Sequence, residues 1–177
     1  CMKIISGKLK GRSIPVCKKN IFRPTLSRVR EDLFNLINHN KILNIDLNKA
    51  VFCDLFCGSG SVGLEALSRG AKKVVFNDIE NSNTTLIKDF LVKNKLINFE
   101  IYNQDAYYEN FFIKNCDIVF IDPPYENDLK LFEDGIYSQI SENCVVIIES
   151  NKTYDHQNII LKKEYKNKKL YFLKKIF

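Results

Sequence analysis

Residues 50–71 read AVFCDLFCGSGSVGLEALSRGA, and this stretch decides the fold. It opens with an apolar run typical of a buried strand, passes through a glycine-rich turn, and continues as a helix that Gly70 ends. Residues 58–63 match the spacing G-x-G-x-x-G. Between a strand and a helix, such glycines permit a tight turn and a close approach of the backbone to a ligand. The stretch therefore predicts the first unit of a nucleoside-binding α/β fold.

Strand-like and helix-like segments alternate after this turn. Helices are predicted over 81–96 and 129–140, and strands over KVVFND (73–78), FEIYNQD (99–105), DIVFID (117–122) and CVVIIES (144–150). Alternation of this kind indicates a mostly parallel central sheet with helices on both faces. The last two apolar segments, 158–165 and 168–177, are expected to close the sheet as an antiparallel hairpin.

The region before the first strand has a different character. Residues 3–16, KIISGKLKGRSIPV, alternate between polar and apolar residues and predict a short hairpin or two edge strands. A helix then opens near Pro24, with Thr25 or Ser27 as its cap and an apolar stripe at Val29, Leu33, Leu36 and Ile37. We therefore divide the chain into a basic N-terminal extension, 1–30, and a Rossmann-like domain, 31–177.

Charge is distributed unevenly along the chain. The 177 residues carry a formal net charge of +6. From residue 3 to residue 30 there is no acid, and there are nine cations: Lys3, Lys8, Lys10, Arg12, Lys18, Lys19, Arg23, Arg28 and Arg30. Such a block favours a polyanionic partner such as a nucleic acid. The lysines of the C-terminal third are interpreted as contributing to solubility.

The composition argues against several other classes of protein. The six cysteines form no C-x-x-C pair, which argues against a zinc site, and we expect no metal. Cys53, Cys116 and Cys144 lie in or beside apolar runs and are expected to be buried. No apolar run approaches the roughly 20 residues that span a bilayer, and we expect no secretory signal because the first residues alternate between polar and apolar. We expect a cytoplasmic protein with no membrane partner.

Acids follow the predicted strands at the edge where ligands collect in open α/β sheets. Asp78 ends the second strand, 20 residues after Gly58, and is placed to accept hydrogen bonds from ribose hydroxyls. Asp54 is suited to accept from a ligand ammonium and would repel a pyrophosphate. Asp105, with Ala106, is suited to the amino group of an adenine. This row of carboxylates favours a zwitterionic cofactor such as S-adenosylmethionine over a nicotinamide dinucleotide.

Residues 117–125, DIVFIDPPY, end the fourth strand with an acid, two prolines and a tyrosine. The Asp122 side chain and the Pro123 carbonyl offer two acceptors for the N–H groups of an exocyclic base amine. The prolines fix the direction of that carbonyl, and the resulting preorganised acceptors draw the amine nitrogen toward tetrahedral geometry. Tyr125 is placed to stack on the base. Asp122 need not be an obligate base, because proton loss to water after methyl transfer serves equally well.

These motifs resemble those of a known family. DLFCGSGSVGLEALSRGA, VVFNDIE and DPPY are similar to class I S-adenosylmethionine-dependent methyltransferases that act on exocyclic amino nitrogens. The N-terminal part narrows the resemblance to the RsmD family of bacterial small-subunit (16S) rRNA guanine-N2 methyltransferases. It reads GKLKGRSIPV followed by RPTLSRVREDLFNLI. The resemblance runs from about residue 3 to residue 150. It implies a Rossmann-like class I methyltransferase fold with a small N-terminal hairpin and helix extension.

The resemblance also implies a cofactor, a partner and a set of site residues. The cofactor would be S-adenosylmethionine, with S-adenosylhomocysteine as product, bound by Asp54, Phe56, Gly58, Gly60, Asp78, Ile79, Asp105, Ala106 and Asp122. The target guanine amine would be held by Asp122, Pro123 and Tyr125. The 16S rRNA of the 30S subunit would contact a monomeric enzyme through Lys8, Lys10, Arg12, Arg23, Thr25 and Arg28. Asp78 departs from the family pattern, in which glutamate is commoner.

Three other functions remain open at this point. An adenine-N6 methyltransferase acting on rRNA or DNA is the main alternative, because DPPY serves that chemistry equally well. An RNA-binding protein with a degenerate cofactor fold is a second, although the intact acids at positions 54, 78, 105 and 122 argue against it. A nicotinamide enzyme is a remote third. The choice of guanine rests on residues 7–31 and not on DPPY.

Overall fold

The structure is a computed structural model that describes residues 2–16, 27–123, 130 and 132–175. The predictions made for Arg23, Thr25 and Tyr125 lie outside these described residues.

A single seven-stranded sheet forms the centre of the molecule. Its strands are β1 (Val51–Asp54), β2 (Lys73–Asn77), β3 (Phe99–Tyr102), β4 (Ile118–Ile121), β5 (Val145–Ser150), β6 (Ile159–Glu164) and β7 (Lys169–Lys174). They lie in the order β3-β2-β1-β4-β5-β7-β6. The first five strands pair in parallel, whereas β7 is antiparallel to both β5 and β6. The predicted mostly parallel sheet and its closing antiparallel hairpin are therefore confirmed.

Within the described residues, three α-helices connect or flank these strands: α1 (Ser27–His39), α2 (Ser61–Ser68) and α3 (Asn81–Lys93). Helix α3 ends three residues before the predicted boundary, and Lys95 adopts a left-handed backbone conformation with φ of 60°. A left-handed residue closes a helix because it cannot continue the right-handed turn. Within the described ranges, no helix is long and apolar enough to cross a membrane.

The helix predicted over 129–140 is wrong for most of its length. The chain instead forms a π-helical turn at Phe132–Ile136, followed by a 3₁₀ turn at Tyr137–Gln139. The Gly135 carbonyl accepts a hydrogen bond from Asn110 Nδ2 at 2.9 Å. This tertiary bond competes with the regular hydrogen bonds of an α-helix, and the sequence periodicity gives no sign of it.

The sheet separates two apolar layers because alternate strand residues face opposite sides. One layer contains apolar residues of α1, α2 and α3, and the strand residues that face it include Phe52, Phe76, Phe120 and Ile147. The opposite residues pack against segments 106–116 and 132–140, which carry the shorter helical turns. Three cysteines predicted to be buried are buried, and this prediction is confirmed: Cys53, Cys116 and Cys144.

The N-terminal segment packs on the layer that contains α1 and α2. An antiparallel bridge joins Lys3 to Ser13, and three apolar side chains of the segment, Ile4, Leu9 and Ile14, are buried in the core. Gly7 has φ of +88°, and a Cβ at this position would lie 1.9 Å from the Ser68 carbonyl oxygen. Glycine is therefore required where this segment meets α2. The division into 1–30 and 31–177 stays a prediction, with the described part of the extension sharing the core.

One of the nine N-terminal cations is not available at the surface. Arg30 is fully buried, and its guanidinium donates to the Lys3 carbonyl at 2.6 Å and lies 3.3 Å from Glu65. Glu65 also accepts from the backbone N–H groups of Ile5 and Ser6, at 2.8 and 3.0 Å. Arg30 therefore belongs to the packing of α1 on α2. The exposed cations among the described residues of this block are Lys3, Lys8, Lys10, Arg12 and Arg28.

Candidate active site

The strand order creates a crevice at one edge of the sheet. From β1 the chain moves outward to β2 and β3, and it then returns to the other side of β1 as β4. Such a switch point opens a crevice beyond the carboxyl ends of the strands. The glycine-rich turn, Asp78 and Asp122 follow β1, β2 and β4 respectively, so the fold brings these separate motifs to one edge.

The glycine-rich turn is shaped by close packing on its neighbours. Gly60 immediately precedes α2, and its backbone N–H donates to the Cys57 carbonyl at 2.7 Å. Gly63 lies where α2 approaches β2, and a Cβ there would be 2.4 Å from the Phe76 ring. The third glycine of the motif therefore lets the helix start close to the sheet, with its first turn at the crevice.

Asp54 is a buried carboxylate at the end of β1. Its side chain is 2% exposed and accepts a hydrogen bond from the Gly63 N–H at 2.9 Å. Burial raises the pKa of Asp54 to about 7, because the charged form loses its hydration, while the Gly63 bond acts in the opposite direction. A cation brought near this carboxylate would favour the ionised form, as expected for a group that binds a ligand ammonium.

Asp78 links the glycine-rich turn to the end of β2. One carboxylate oxygen accepts from the Gly58 N–H at 2.7 Å, and the other accepts from the Glu80 N–H at 2.9 Å. Each oxygen of a carboxylate has two acceptor sites. Asp78 is therefore fixed in position and keeps one further acceptor site on each oxygen.

Two asparagines that were not predicted as site residues join the strand ends in this part of the crevice by hydrogen bonds. The buried Asn77 donates to the carbonyls of Leu55 and Gln104, both at 3.1 Å, and accepts from the Gln104 N–H at 3.0 Å. Asn103 donates to the Asp78 carbonyl at 3.1 Å. The ends of β1, β2 and β3 are thus joined by side-chain amides. Asn77 is the last residue of β2 and Asn103 immediately follows β3, and these positions at strand ends are the only sequence signal that the two residues offer.

The predicted adenine end of the site lies beside β3. Asp105 is half-buried and accepts from the Tyr107 N–H at 3.2 Å, and Ala106 is buried. Phe56 packs against Tyr107 with ring centroids 5.3 Å apart. Ile79 follows Asp78 and is 64% exposed, so it offers an apolar surface beside Asp78.

Asp122 and Pro123 follow β4 and are half-buried. Burial raises the pKa of Asp122 to about 8. The nearby Glu149 and Asp54 carboxylates contribute to this rise, whereas the Lys168 ammonium opposes it. Asp122 therefore lies in an acidic and poorly hydrated part of the crevice, where a cationic ligand would be favoured.

Glu149 and Lys168 were not predicted as site residues. Glu149 follows the apolar run of β5 and is 2% exposed, and Lys168 Nζ lies 2.7 Å from its carboxylate. CVVIIES places an acid after an apolar strand, as DIVFID does, so this signal was present in the sequence. Lys168 had no such signal, and its interpretation as a residue for solubility is wrong because it pairs with a buried acid.

The residues predicted to contact RNA are only partly described. Lys8, Lys10 and Arg28 are exposed. Arg12 is also exposed, and its guanidinium donates to the side-chain oxygen of Asn94 at the end of α3. Across the described residues, His, Cys, Asp and Glu side chains form no group of three that could hold a metal ion.

Comparisons with known proteins agree with this architecture. The family model described as conserved hypothetical protein 95 matches residues 2–174. Ribosomal RNA small subunit methyltransferase D of Buchnera aphidicola subsp. Baizongia pistaciae is 32% identical over 180 residues, which cover 97% of this chain and 89% of the relative. The chain thus matches nearly the full length of that relative.

Two solved structures extend the comparison to the fold. The Escherichia coli protein yhhF is 28% identical with a TM-score of 0.76, covering 98% of this chain and 97% of that chain. An RNA methyltransferase of Salinibacter ruber, in complex with S-adenosyl-L-homocysteine, is 15% identical with a TM-score of 0.68 and covers 85% of this chain and 92% of that chain. The predicted Rossmann-like class I methyltransferase fold is confirmed. By its family match and its full-length relatives, the chain belongs to the ribosomal RNA small subunit methyltransferase D (RsmD) family.

Proposed function

We propose that this protein transfers a methyl group from S-adenosylmethionine to the exocyclic N2 amine of a guanine in 16S rRNA, on 30S particles. The proposal rests on one observation: three acids lie at the carboxyl ends of adjacent strands, namely Asp54, Asp78 and Asp122. One acid is suited to an ammonium, one to a ribose and one to an amine. Membership of an rRNA methyltransferase family supports the same activity.

The donor set fits the proposed cofactor. Asp54 would bind the ammonium of the methionine moiety, Asp78 the ribose hydroxyls, and Asp105 with Ala106 the adenine. Gly58 and Gly60 leave space beside the methionine moiety, and Phe56 and Ile79 supply apolar contacts. When bound, S-adenosylmethionine supplies an electrophilic methyl group on a sulfonium. The raised pKa of Asp54 is consistent with a carboxylate that binds a cation.

Asp122 and Pro123 would prepare the amine for attack. The lone pair of an exocyclic base amine is delocalised into the ring, which makes the nitrogen a poor nucleophile. Two acceptors, one on the Asp122 carboxylate and one on the Pro123 carbonyl, would bind the two N–H groups and localise that lone pair. Tyr125 would stack on the base and set its plane. After transfer, the extra proton would leave to Asp122 or to water.

The exposed cations would bind the RNA. Contacts to phosphates would place the target nucleotide over the crevice. The residues that would make these contacts are Lys8, Lys10, Arg12, Arg23, Thr25 and Arg28. We infer a monomeric, cytoplasmic enzyme whose residues 1–30 serve as the RNA-binding extension. The guanine assignment rests on the resemblance of residues 7–31 to the family pattern.

Mass mapping of methylated nucleosides tests this proposal. Unmethylated 30S particles are incubated with the protein and isotope-labelled S-adenosylmethionine, and the rRNA is digested to nucleosides. Labelled N2-methylguanosine is the expected product. Labelled N6-methyladenosine would overturn the guanine assignment in favour of the adenine alternative. Calorimetry with S-adenosylmethionine provides a further check, because absence of binding by the folded protein would indicate an RNA-binding protein without the cofactor.

A further inference from the structure

A buried ion pair lies beside the proposed catalytic acid. The register of β4 on β5 pairs Ile121 with Ile148, so the next residues along the two strands, Asp122 and Glu149, are neighbours. The Glu149 side chain is 1% exposed, that of Lys168 is 24% exposed, and the two charged groups are 2.7 Å apart. Lys168 immediately precedes β7, at the end of the turn that joins β6 to β7.

The charges around Asp122 come from three elements. Strand alternation directs Asp54, Asp122 and Glu149 to the face of the sheet on which α1 and α2 pack. Asp54 is contributed by β1, Glu149 by β5, and Lys168 by the turn before β7. Among these described neighbours, two carry negative charge and one carries positive charge. Without Lys168, three carboxylates would crowd one edge of the sheet.

Stability alone does not account for this pair. Removing two charges from water costs about as much as their attraction returns, and apolar residues of similar size would hold two strands together equally well. A charged pair is therefore expected where its electrostatic effect on a neighbour matters. The neighbour here is Asp122.

The turn that carries Lys168 is itself held in place. The Tyr165 N–H donates to the Lys168 carbonyl at 2.7 Å, which closes the turn. The Tyr165 hydroxyl donates to the Asp32 carboxylate on α1 at 3.1 Å. The backbone of this turn is thus held by its own closing bond and by α1, while the ammonium of Lys168 is held by the Glu149 carboxylate.

We propose that Glu149 and Lys168 form a positioning pair for Asp122, in which Lys168 offsets the Glu149 charge and leaves the Asp122 carboxylate able to accept from the target amine. This inference rests on the proposed function, in which Asp122 is that acceptor. Lys168 and Glu149 act through Asp122 and do not themselves touch the reacting atoms.

Removal of Lys168 and removal of Glu149 should shift the titration midpoint of Asp122 in opposite directions. In Lys168→Met, the positive charge beside Glu149 and Asp122 is removed, and the Asp122 titration midpoint moves up by about one pH unit or more. In Glu149→Gln, Lys168 is unopposed and the midpoint moves down by a similar amount. In the double variant both charges are absent, and the midpoint returns close to that of the wild type. If the pair had no electrostatic effect on Asp122, all of these midpoints would be unchanged.

The titration is read by NMR on protein with ¹³C-labelled aspartate carboxyl groups, with Asp122→Asn identifying the Asp122 signal. This readout requires no substrate. Lys166→Met is the matched control, because Lys166 is an exposed lysine in the same turn. Lys168→Arg should restore the wild-type midpoint. Unchanged midpoints in folded Glu149→Gln overturn the proposal even if Lys168→Met fails to fold.

Single-turnover methyl transfer to 30S particles provides the second readout. The acidic limb of the pH–rate profile should move with the Asp122 midpoint, upward in Lys168→Met and downward in Glu149→Gln. If the NMR midpoints shift but the acidic limb of the pH–rate profile stays where it is in the wild type, the positioning role is overturned. If the wild type transfers no methyl group to RNA, the proposed function fails, whereas the NMR midpoints still decide whether the pair controls Asp122.

Discussion

The two halves of the crevice hold their acids by different means. At β1 and β2, Asp54 and Asp78 accept from neutral backbone N–H groups of Gly63, Gly58 and Glu80. At β4 and β5, the buried Glu149 is instead paired with a full cation, Lys168, beside Asp122. The first half is fixed by the geometry of a turn and a helix start, and the second by an ion pair.

This difference fits the chemistry proposed for each half. Backbone donors hold a carboxylate in one place without cancelling its charge, which suits a site that binds a cationic cofactor. A neighbouring ion pair instead adjusts the charge state of an acid, which suits a site where an amine must be activated. The comparison therefore predicts that variants in the two halves will separate cofactor binding from methyl transfer.

Asp122→Ala should have the largest effect on the reaction. Loss of one preorganised acceptor should reduce methyl transfer by roughly 10²-fold or more, with cofactor affinity nearly unchanged. Single-turnover rates on 30S particles and calorimetry with S-adenosylmethionine measure the two quantities. Asp155→Ala, which removes an exposed acid, is the control. A turnover rate near that of the wild type would show that Asp122 is not the amine acceptor.

Asp78→Asn should give the converse result in the other half of the crevice. Loss of a charged acceptor for ribose should raise the dissociation constant of S-adenosylmethionine by roughly 10- to 100-fold, as expected for a hydrogen bond to a charged group. At saturating cofactor the methyl transfer rate should largely recover. If the rate stays low at saturation while affinity is normal, the proposed separation between the halves is wrong.

Arg12→Ala combined with Arg23→Ala should weaken RNA binding by roughly tenfold and leave cofactor binding unchanged. Loss of two phosphate contacts should reduce the slope of log affinity against log salt by about 1.5. RNA binding is measured at several salt concentrations. Lys49→Ala with Lys72→Ala is the matched control, because these exposed lysines precede β1 and β2 at the opposite edge of the sheet. Equal slopes for both pairs would exclude a specific role for the extension.

The pH dependence of cofactor binding should show the smallest effect. The pKa of Asp54 is raised to about 7, so the ligand-free protein retains this proton at pH 6 and releases it when a cation binds. Affinity for S-adenosylmethionine should therefore rise by up to about tenfold from pH 6 to pH 8. Calorimetry across this range measures the effect, and Asp54→Asn should flatten it. A flat wild-type profile would mean that Asp54 does not bind the ammonium.

Local sequence patterns identified most of the parallel sheet because each signal lies within one segment. AVFCDLF, KVVFND and DIVFID predicted strands that the structure contains, and the glycines of 58–63 predicted the turn before α2. The predicted helix over 129–140 failed because the Gly135 carbonyl bonds to Asn110, a contact 25 residues away. Arg30 was counted with the surface cations because its partner Glu65 is 35 residues distant in the sequence.

The sequence by itself determined the α/β architecture and the acids at the strand ends, since apolar periodicity, glycine spacing and strand-end position are local properties. Only the tertiary structure decided which charges meet: Glu65 with Arg30, and Glu149 with Lys168 beside Asp122. The physical reason is that the energy of a charge depends on burial and on partners within a few ångströms, and both are set by the packing of distant segments.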